Sequence, residues 1–152
     1  MSYSLDANLL LYASDTSSTE YSAARRFLQA RASDPDLLCF TWLTLMAYQR
    51  IATHPSIFRN PLSPEEAWMN ITGLLKLPRV CLLGEKDSFA EDYGALSATM
   101  VVRGNLVPDA HLATILQQHG VNRLYSADSD FRKFEFLQVV NPLREFENPS
   151  SQ

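Results

Sequence analysis

Four aspartates stand where they could act together. They are Asp6 near the start of the chain, Asp109 in Pro108-Asp109, and Asp128 and Asp130 in the run Ser126-Ala-Asp-Ser-Asp-Phe131. Gathered in one pocket without matching cations, such carboxylates repel one another and raise each other's pKa values. A hard divalent cation relieves that repulsion, because Mg²⁺ and Mn²⁺ prefer carboxylate and water oxygens. No cluster of cysteine and histidine supplies the thiolate and imidazole ligands of zinc. Taken singly, each acid has a plainer use. Asp6 could cap a helix beginning near Asn8, Asp109 sits well in a helix first turn, and Asp128 and Asp130 could be turn residues. The chemistry therefore depends on whether the fold brings the set together.

The hydropathy pattern says which elements must do so. Ser2-Tyr-Ser-Leu5 reads as a short strand leading into a brief helix over Asn8-Leu-Leu-Leu-Tyr12. Ser17-Ser-Thr-Glu20 has the form of a capping box, which predicts a helix over 18–32 with Tyr21, Ala24, Phe27 and Leu28 on its apolar face. Asp34-Pro-Asp36 ends it, and Leu37-Leu-Cys-Phe40 reads as a buried strand. A helix over 42–53 stops at His54-Pro55, and Ser63-Pro64-Glu-Glu66 caps the next, with proline in its first position. Arg79-Val-Cys-Leu-Leu83 is a third strand and 88–102 a long helix. Pro108-Asp109 opens a helix that closes at His119-Gly120, with glycine past the C-cap. Arg123-Leu-Tyr-Ser126 and 137–140 are the last two strands.

Strands separated by helices imply right-handed crossovers and an α/β fold: a mostly parallel central sheet of about five strands, in three layers with helices on both faces. Ligands of such sheets bind beyond the carboxyl ends of the strands. Asp6 ends the first strand, Asp128 and Asp130 follow the fourth, and Asp109 opens the helix before it. With the first and fourth strands as neighbours, all four converge.

Composition narrows the classes. The 152 residues suit one domain, read here as 1–147 followed by a frayed tail over 148–152. At 46% hydrophobic and a net charge of −4, the chain is not of the disordered class. No basic leader opens it and no apolar run reaches about 18 residues, so neither secretion nor a membrane is expected. Cys39 and Cys81 lie in apolar stretches, as reduced thiols of a cytoplasmic protein do. Residues 1–64 balance in charge, whereas 65–109 carry seven acids and four bases. With a pI near 5.3, nucleic acid cannot be held by bulk positive charge and needs local cations or metal ions.

Other constellations are weaker. His54, His111 and His119 lack the spacing of a helical zinc motif and read as structural. No Gly-x-Ser-x-Gly elbow supports a serine hydrolase, and no glycine-rich loop cradles phosphates. Trp42, Trp68, Phe131, Phe134 and Phe136 have the spacing of core or dimer contacts. A phosphoryl transferase with Asp6 as nucleophile expects a second aspartate two residues on, where Asn8 stands instead.

The chain resembles the PIN domain, and within it the VapC toxins of prokaryotic toxin–antitoxin pairs. The resemblance rests on Leu5-Asp6-Ala7-Asn8, the helix ending in Arg50-Ile-Ala-Thr53 and His54-Pro55, Pro61-Leu-Ser-Pro-Glu-Glu-Ala67, Leu106-Val-Pro-Asp-Ala-His-Leu-Ala113 and Ser126-Ala-Asp-Ser-Asp-Phe131. These segments span almost the whole chain in the family's order. The resemblance implies a metal-dependent endoribonuclease in which Asp6, Asp109 and Asp128 bind Mg²⁺ or Mn²⁺. It makes Asp130 an additional acid, either supporting that ion or binding a second. It gives Ser126 a supporting hydroxyl and Asn8 a place beside the first aspartate.

One position departs: most of the family carries a glutamate where Ala47 stands, and no acid occurs from Phe40 to Pro64. That leaves a second reading, a catalytically impaired PIN scaffold acting as a protein-binding module. Hydrolysis in the family yields a 5′-phosphate and a 3′-hydroxyl. Arg50 and Arg132, with Arg59, Arg103 and Lys133, could contact RNA phosphates. The resemblance also implies a homodimer and a small VapB-like antitoxin, through which alone this acidic chain would reach DNA. The C-terminal segment of such a partner wraps the toxin and often places a basic side chain in the acidic site.

Overall fold

A computed structural model describes residues 1–146, so the tail read over 148–152 lies outside the described residues. In chain order the elements are β1 (Ser2–Leu5), α1 (Ala7–Tyr12), α2 (Tyr21–Ala30), β2 (Leu37–Thr41), α3 (Trp42–Ala52), α4 (Pro64–Leu75), β3 (Val80–Leu83), α5 (Phe89–Ser97), α6 (Leu106–Gln118), β4 (Arg123–Tyr125), a 3₁₀ helix (Ser129–Lys133), β5 (Gln138–Val140) and α7 (Pro142–Phe146). The strands form one sheet in the order β3-β2-β1-β4-β5, and every pairing is parallel. β1 is thus central, flanked by β2 and β4, which makes the first and fourth strands neighbours.

Period-two alternation divides the strands between two cores. Tyr3, Leu5, Leu38 and Phe40 face one side, where they pack with Leu9, Leu10, Phe27, Leu45, Tyr48 and Ile71 from α1 to α4. Cys39 and Leu124 belong to the other, with Ala110, Ala113 and Leu116 of α6 and with Phe131, Phe134 and Leu137. Both faces are covered, giving the three layers. Among the described residues no helix is long and apolar enough to cross a membrane.

Local chemistry sets the ends of the elements. Ser63 caps α4 by accepting from the Glu66 amide at 3.1 Å, with Pro64 in the first turn. Gly120 adopts φ +69° just past α6, a conformation that lets the chain turn at once into β4.

Elsewhere the structure corrects the sequence reading. The capping box at Ser17-Ser-Thr-Glu20 does not form. The backbone and hydroxyl of Ser17 are both taken by Asp15, the Ser18 hydroxyl accepts from Glu20 only two residues on, and α2 starts at Tyr21. The helix expected over 88–102 stops at Ser97, where the hydroxyls of Ser97 and Thr99 bond the carbonyls of Gly94 and Leu96 and compete with a further turn. The 3₁₀ helix and α7 are additions that the hydropathy pattern does not signal. Phe131 and Phe134 are core residues as read, but Trp42 and Trp68 are each 44% exposed. The histidines bear structural bonds: His111 to Glu85 at 2.7 Å, His119 to the Gly84 carbonyl at 2.8 Å, and His54 accepting from the Ser56 amide.

Two glycines test this account of the backbone. A methyl group added at either Gly120 or Gly94 meets no atom within 4 Å, so only backbone conformation separates them. Gly120→Ala, forced to a positive φ, should cost about 1 kcal/mol in urea unfolding. Gly94→Ala, inside α5, should stabilise by about 0.5–1 kcal/mol.

Candidate metal centre

Asp6 leaves β1 in an extended conformation, and its amide continues the ladder by donating to the Tyr125 carbonyl at 2.9 Å. Its carboxylate does serve as the cap of α1, with Oδ1 accepting from the Ala7 amide at 2.8 Å. The other oxygen is held from across the sheet, where the Ser126 hydroxyl donates to Oδ2 at 2.8 Å. Ser126 is 2% exposed, and its oxygen also accepts from the Asp128 amide at 2.9 Å and from Asn8 Nδ2 at 3.3 Å. Asn8 Oδ1 in turn accepts from the Ala127 amide. Ser126 and Asn8 therefore pin the end of β1 to the turn after β4, beside the first aspartate.

That turn is shaped by a second capping bond. Asp128 Oδ1 accepts from the Asp130 amide at 2.9 Å and starts the 3₁₀ helix, which leaves both carboxylates on the same side of the turn as α6. Asp109, in the first turn of α6, completes the group. Asp109, Asp128 and Asp130 each offer an oxygen within 4.8 Å of the others. Asp6 is not a member of that tight group. It joins through Ser126 and through the mutual repulsion of the carboxylates. Burial above all raises the pKa of Asp6, against the bonds from Ser126 and Ala7, and the charge of Asp128 adds to the rise. Asp109 is pushed up to about 6, first by burial and then by Asp6, Asp128 and Asp130.

Among the described residues, no ion pair engages any of the four acids. An all-oxygen donor set of this spacing, uncompensated by protein cations, fits a hard divalent ion and does not fit zinc. Of the basic residues named from sequence, Arg50 ends α3 and Arg132 lies in the 3₁₀ helix, both exposed. The cation whose field reaches Asp109 is Lys133, beside Arg132. Ala47 is half-buried on α3, and that helix brings no carboxylate to the group.

Sequence reasoning missed Thr41. It is 1% exposed, caps α3 by accepting from the Thr44 amide, and ends β2, the parallel neighbour of the strand that Asp6 follows. The signal available was a threonine between a buried strand and a helix, the usual place of an N-cap.

No family model matches the chain. It is similar to Ribonuclease VapC48 of Mycobacterium tuberculosis, with 34% identity over 142 residues that cover 93% of this chain and 98% of that protein. Ribonuclease VapC37 of the same organism is also 34% identical, over 91% of this chain and 95% of its own length. Among solved structures, VapC20 of M. tuberculosis, described as a sarcin-ricin loop cleaving toxin, superposes with a TM-score of 0.65 at 15% identity, covering 91% of this chain and 99% of that one. The VapBC2 complex of Rickettsia felis, bound to a DNA fragment from its promoter, gives 0.66 at 16% identity over 93% and 98%.

The raised pKa of Asp109 has a measurable consequence for stability. Well below its ordinary 3.8 the group is protonated in folded and unfolded chains alike. Between its ordinary 3.8 and about 6, the unfolded chain has released the proton that the folded chain keeps, so rising pH favours unfolding. Asp109→Asn should therefore stabilise the protein in EDTA at pH 7 by about 1 kcal/mol, allowing for the half-exposure of the group. At pH 3, below both values, the variant and the parent should unfold together. Equilibrium denaturation at the two pH values is the measurement.

Proposed function

This chain belongs to the VapC family of PIN-domain ribonucleases, and from that premise we propose that it is a divalent-metal-dependent endoribonuclease, the toxin of a toxin–antitoxin pair. The carboxylate oxygens of Asp109, Asp128 and Asp130 within 4.8 Å of one another, free of cationic partners, carry the reading. Asp6, Asp109 and Asp128 would hold Mg²⁺ or Mn²⁺, with Asp130 beside them. When bound, the ion neutralises charge on a phosphodiester and lowers the pKa of an attacking water.

The remaining work falls to the chain itself. Ser126 donates to the Asp6 carboxylate and accepts from the Asp128 amide, which ties the two acids together ahead of a cation. Asn8 keeps Ser126 in place. Lys133 and Arg132, on the 3₁₀ helix that carries Asp130, are the cations best situated to meet phosphates flanking the scissile bond, and Arg50 is a more distant candidate.

The same reading includes a homodimer, a cytoplasmic setting and a small antitoxin of the VapB kind, with DNA reached only through that partner. A groove among α1, α2, α3 and α4 supports the antitoxin. Its cavity of about 470 Å³ is lined by Leu10, Leu28, Leu74 and Leu77, with Tyr48 at its base and Arg25 for an acidic contact. An apolar partner segment suits this groove, and VapB–VapC complexes are among the structures that share the fold. The second reading, a protein-binding scaffold without catalysis, is favoured by one observation, the missing acid at Ala47.

Incubation of the purified chain with labelled RNA and Mn²⁺ distinguishes the two. Cleavage leaving 5′-phosphate ends is expected. It should be abolished by EDTA and reduced about 100-fold or more in each of Asp6→Asn, Asp109→Asn and Asp128→Asn. Absence of cleavage by the parent protein would leave the scaffold reading, and equal cleavage by parent and variants would remove this site from the reaction.

A further inference from the structure

The chain has two tryptophans, and the fold leaves both partly in water: Trp42 and Trp68 are each 44% exposed. Their rings stack with centroids 6.2 Å apart and planes 13° from parallel. Trp42 is the first residue of α3 and Trp68 lies in α4, so two helices cooperate to hold one aromatic surface.

Its position in the fold gives this surface a use. Trp42 follows Thr41 at the carboxyl end of β2, and β2 pairs in parallel with β1, which Asp6 follows, so the two sit at the same edge on neighbouring strands. A cleft of about 340 Å³ opens there, lined by Thr41, Trp42 and Met46 on one side, Leu83 at the end of β3 and Glu85 after it on another, and Ile115 of α6. The same α6 brings Asp109 to the acidic group, so the cleft and the carboxylates share a helix and a sheet edge. Trp42 lines the cleft and Trp68 does not, so Trp68 acts as the backing that keeps the Trp42 ring in place.

The lining discriminates between the parts of a nucleotide. An indole face and aliphatic walls attract a planar, weakly hydrated ring, whereas the Glu85 carboxylate, held by His111 at 2.7 Å, repels phosphate. A concave cleft also suits an inserted planar group better than the broad packing of a second chain. We infer that Trp42, propped by Trp68, is a stacking platform for an unpaired nucleobase of the RNA strand next to the phosphate at the acidic site. The inference rests on the ribonuclease reading of that site and adds to it a base-binding subsite.

With no other tryptophan present, the tryptophan emission of the chain, excited beyond the tyrosine band, reports on this pair alone. The full chain is titrated with a single-stranded RNA of mixed sequence in Ca²⁺, without Mg²⁺ or Mn²⁺. Tryptophan emission is followed, and anisotropy of a labelled copy of the RNA is read in parallel. Quenching that saturates at the same midpoint as the anisotropy is expected. Trp42→Ala should weaken binding about tenfold or more and Trp42→Phe about threefold or less, with circular dichroism confirming that both fold. Unchanged emission through an anisotropy-detected binding event would overturn the inference, as would Trp42→Ala binding RNA like the parent. A Trp42→Ala protein whose mass in sedimentation falls to a single copy, with RNA affinity intact, would assign the surface to self-association instead. A parent chain that neither binds nor cleaves RNA would overturn the ribonuclease reading along with this one.

Discussion

Like charges held close together are the constraint on which this molecule turns. Carboxylates within 4.8 Å of one another repel, and burial of Asp6 and Asp109 removes much of the water that would screen them. The scaffold answers with hydrogen bonds to the charged forms. Ala7 and Ser126 donate to Asp6, and the Asp130 amide donates to Asp128. None of these bonds brings a positive charge, so the group stays poised for a cation from outside the chain. The all-parallel sheet with β1 at its centre makes the arrangement possible, because parallel strands end at one edge and bring the residues that follow them together.

The opposite edge of the sheet shows what the protein does with acids that it means to neutralise. Asp36 is bonded by Arg123 at 2.8 Å and faces the N-terminal amine at 3.5 Å, and Asp34 is paired with Arg31 at 2.9 Å. The guanidinium of Arg31 lies 4.1 Å from the centre of the Phe27 ring and also covers Tyr3 and Tyr125, while Arg123 covers the same two tyrosines. At the amino edge these acids have guanidinium partners packed on aromatic rings. At the carboxyl edge the acids have none. The contrast within one sheet supports the proposed cation site more than the count of acids does, since the same chain pairs Asp34 and Asp36 with arginines.

Much of this was legible in the sequence, and the limits have physical causes. Asp6, Asp109, Asp128 and Asp130 could be placed because strand ends are visible in a run of apolar residues and because parallel sheets bind ligands at one edge. Their grouping was less legible. The bond from Ser126 to Asp6 spans 120 residues and depends on strand order, which no local pattern encodes. The 3₁₀ helix starts from an aspartate bonding its own neighbourhood, so the side on which Lys133 emerges depends on a turn of period three that hydropathy does not mark. The failed cap at Ser17 and the early end of α5 share one cause, short polar side chains with several nearby backbone partners of similar value. Trp42 and Trp68 have the spacing of core or dimer contacts, and only the packing of α4 against α3 reveals that they stack on each other with part of each ring exposed.

The departure at Ala47 takes on a different aspect once α3 is placed. Trp42, Leu43 and Met46 line the cleft at the end of β2, and Ala47 lies one turn beyond Leu43. A glutamate there would set a further negative charge on α3, one turn from a residue that lines the cleft. Alanine gives up that ligand and leaves the face of α3 towards the sheet edge uncharged from Trp42 to Ala47. The carboxylate that α3 lacks is not the only route to a dense donor set, because the 3₁₀ turn places Asp130 with Asp109 and Asp128 without it. The acid-free helix and the exposed tryptophans are then two aspects of one arrangement, in which carboxylates gather at the ends of β1 and β4 and the cleft at the end of β2 has Glu85 as its one charged lining residue.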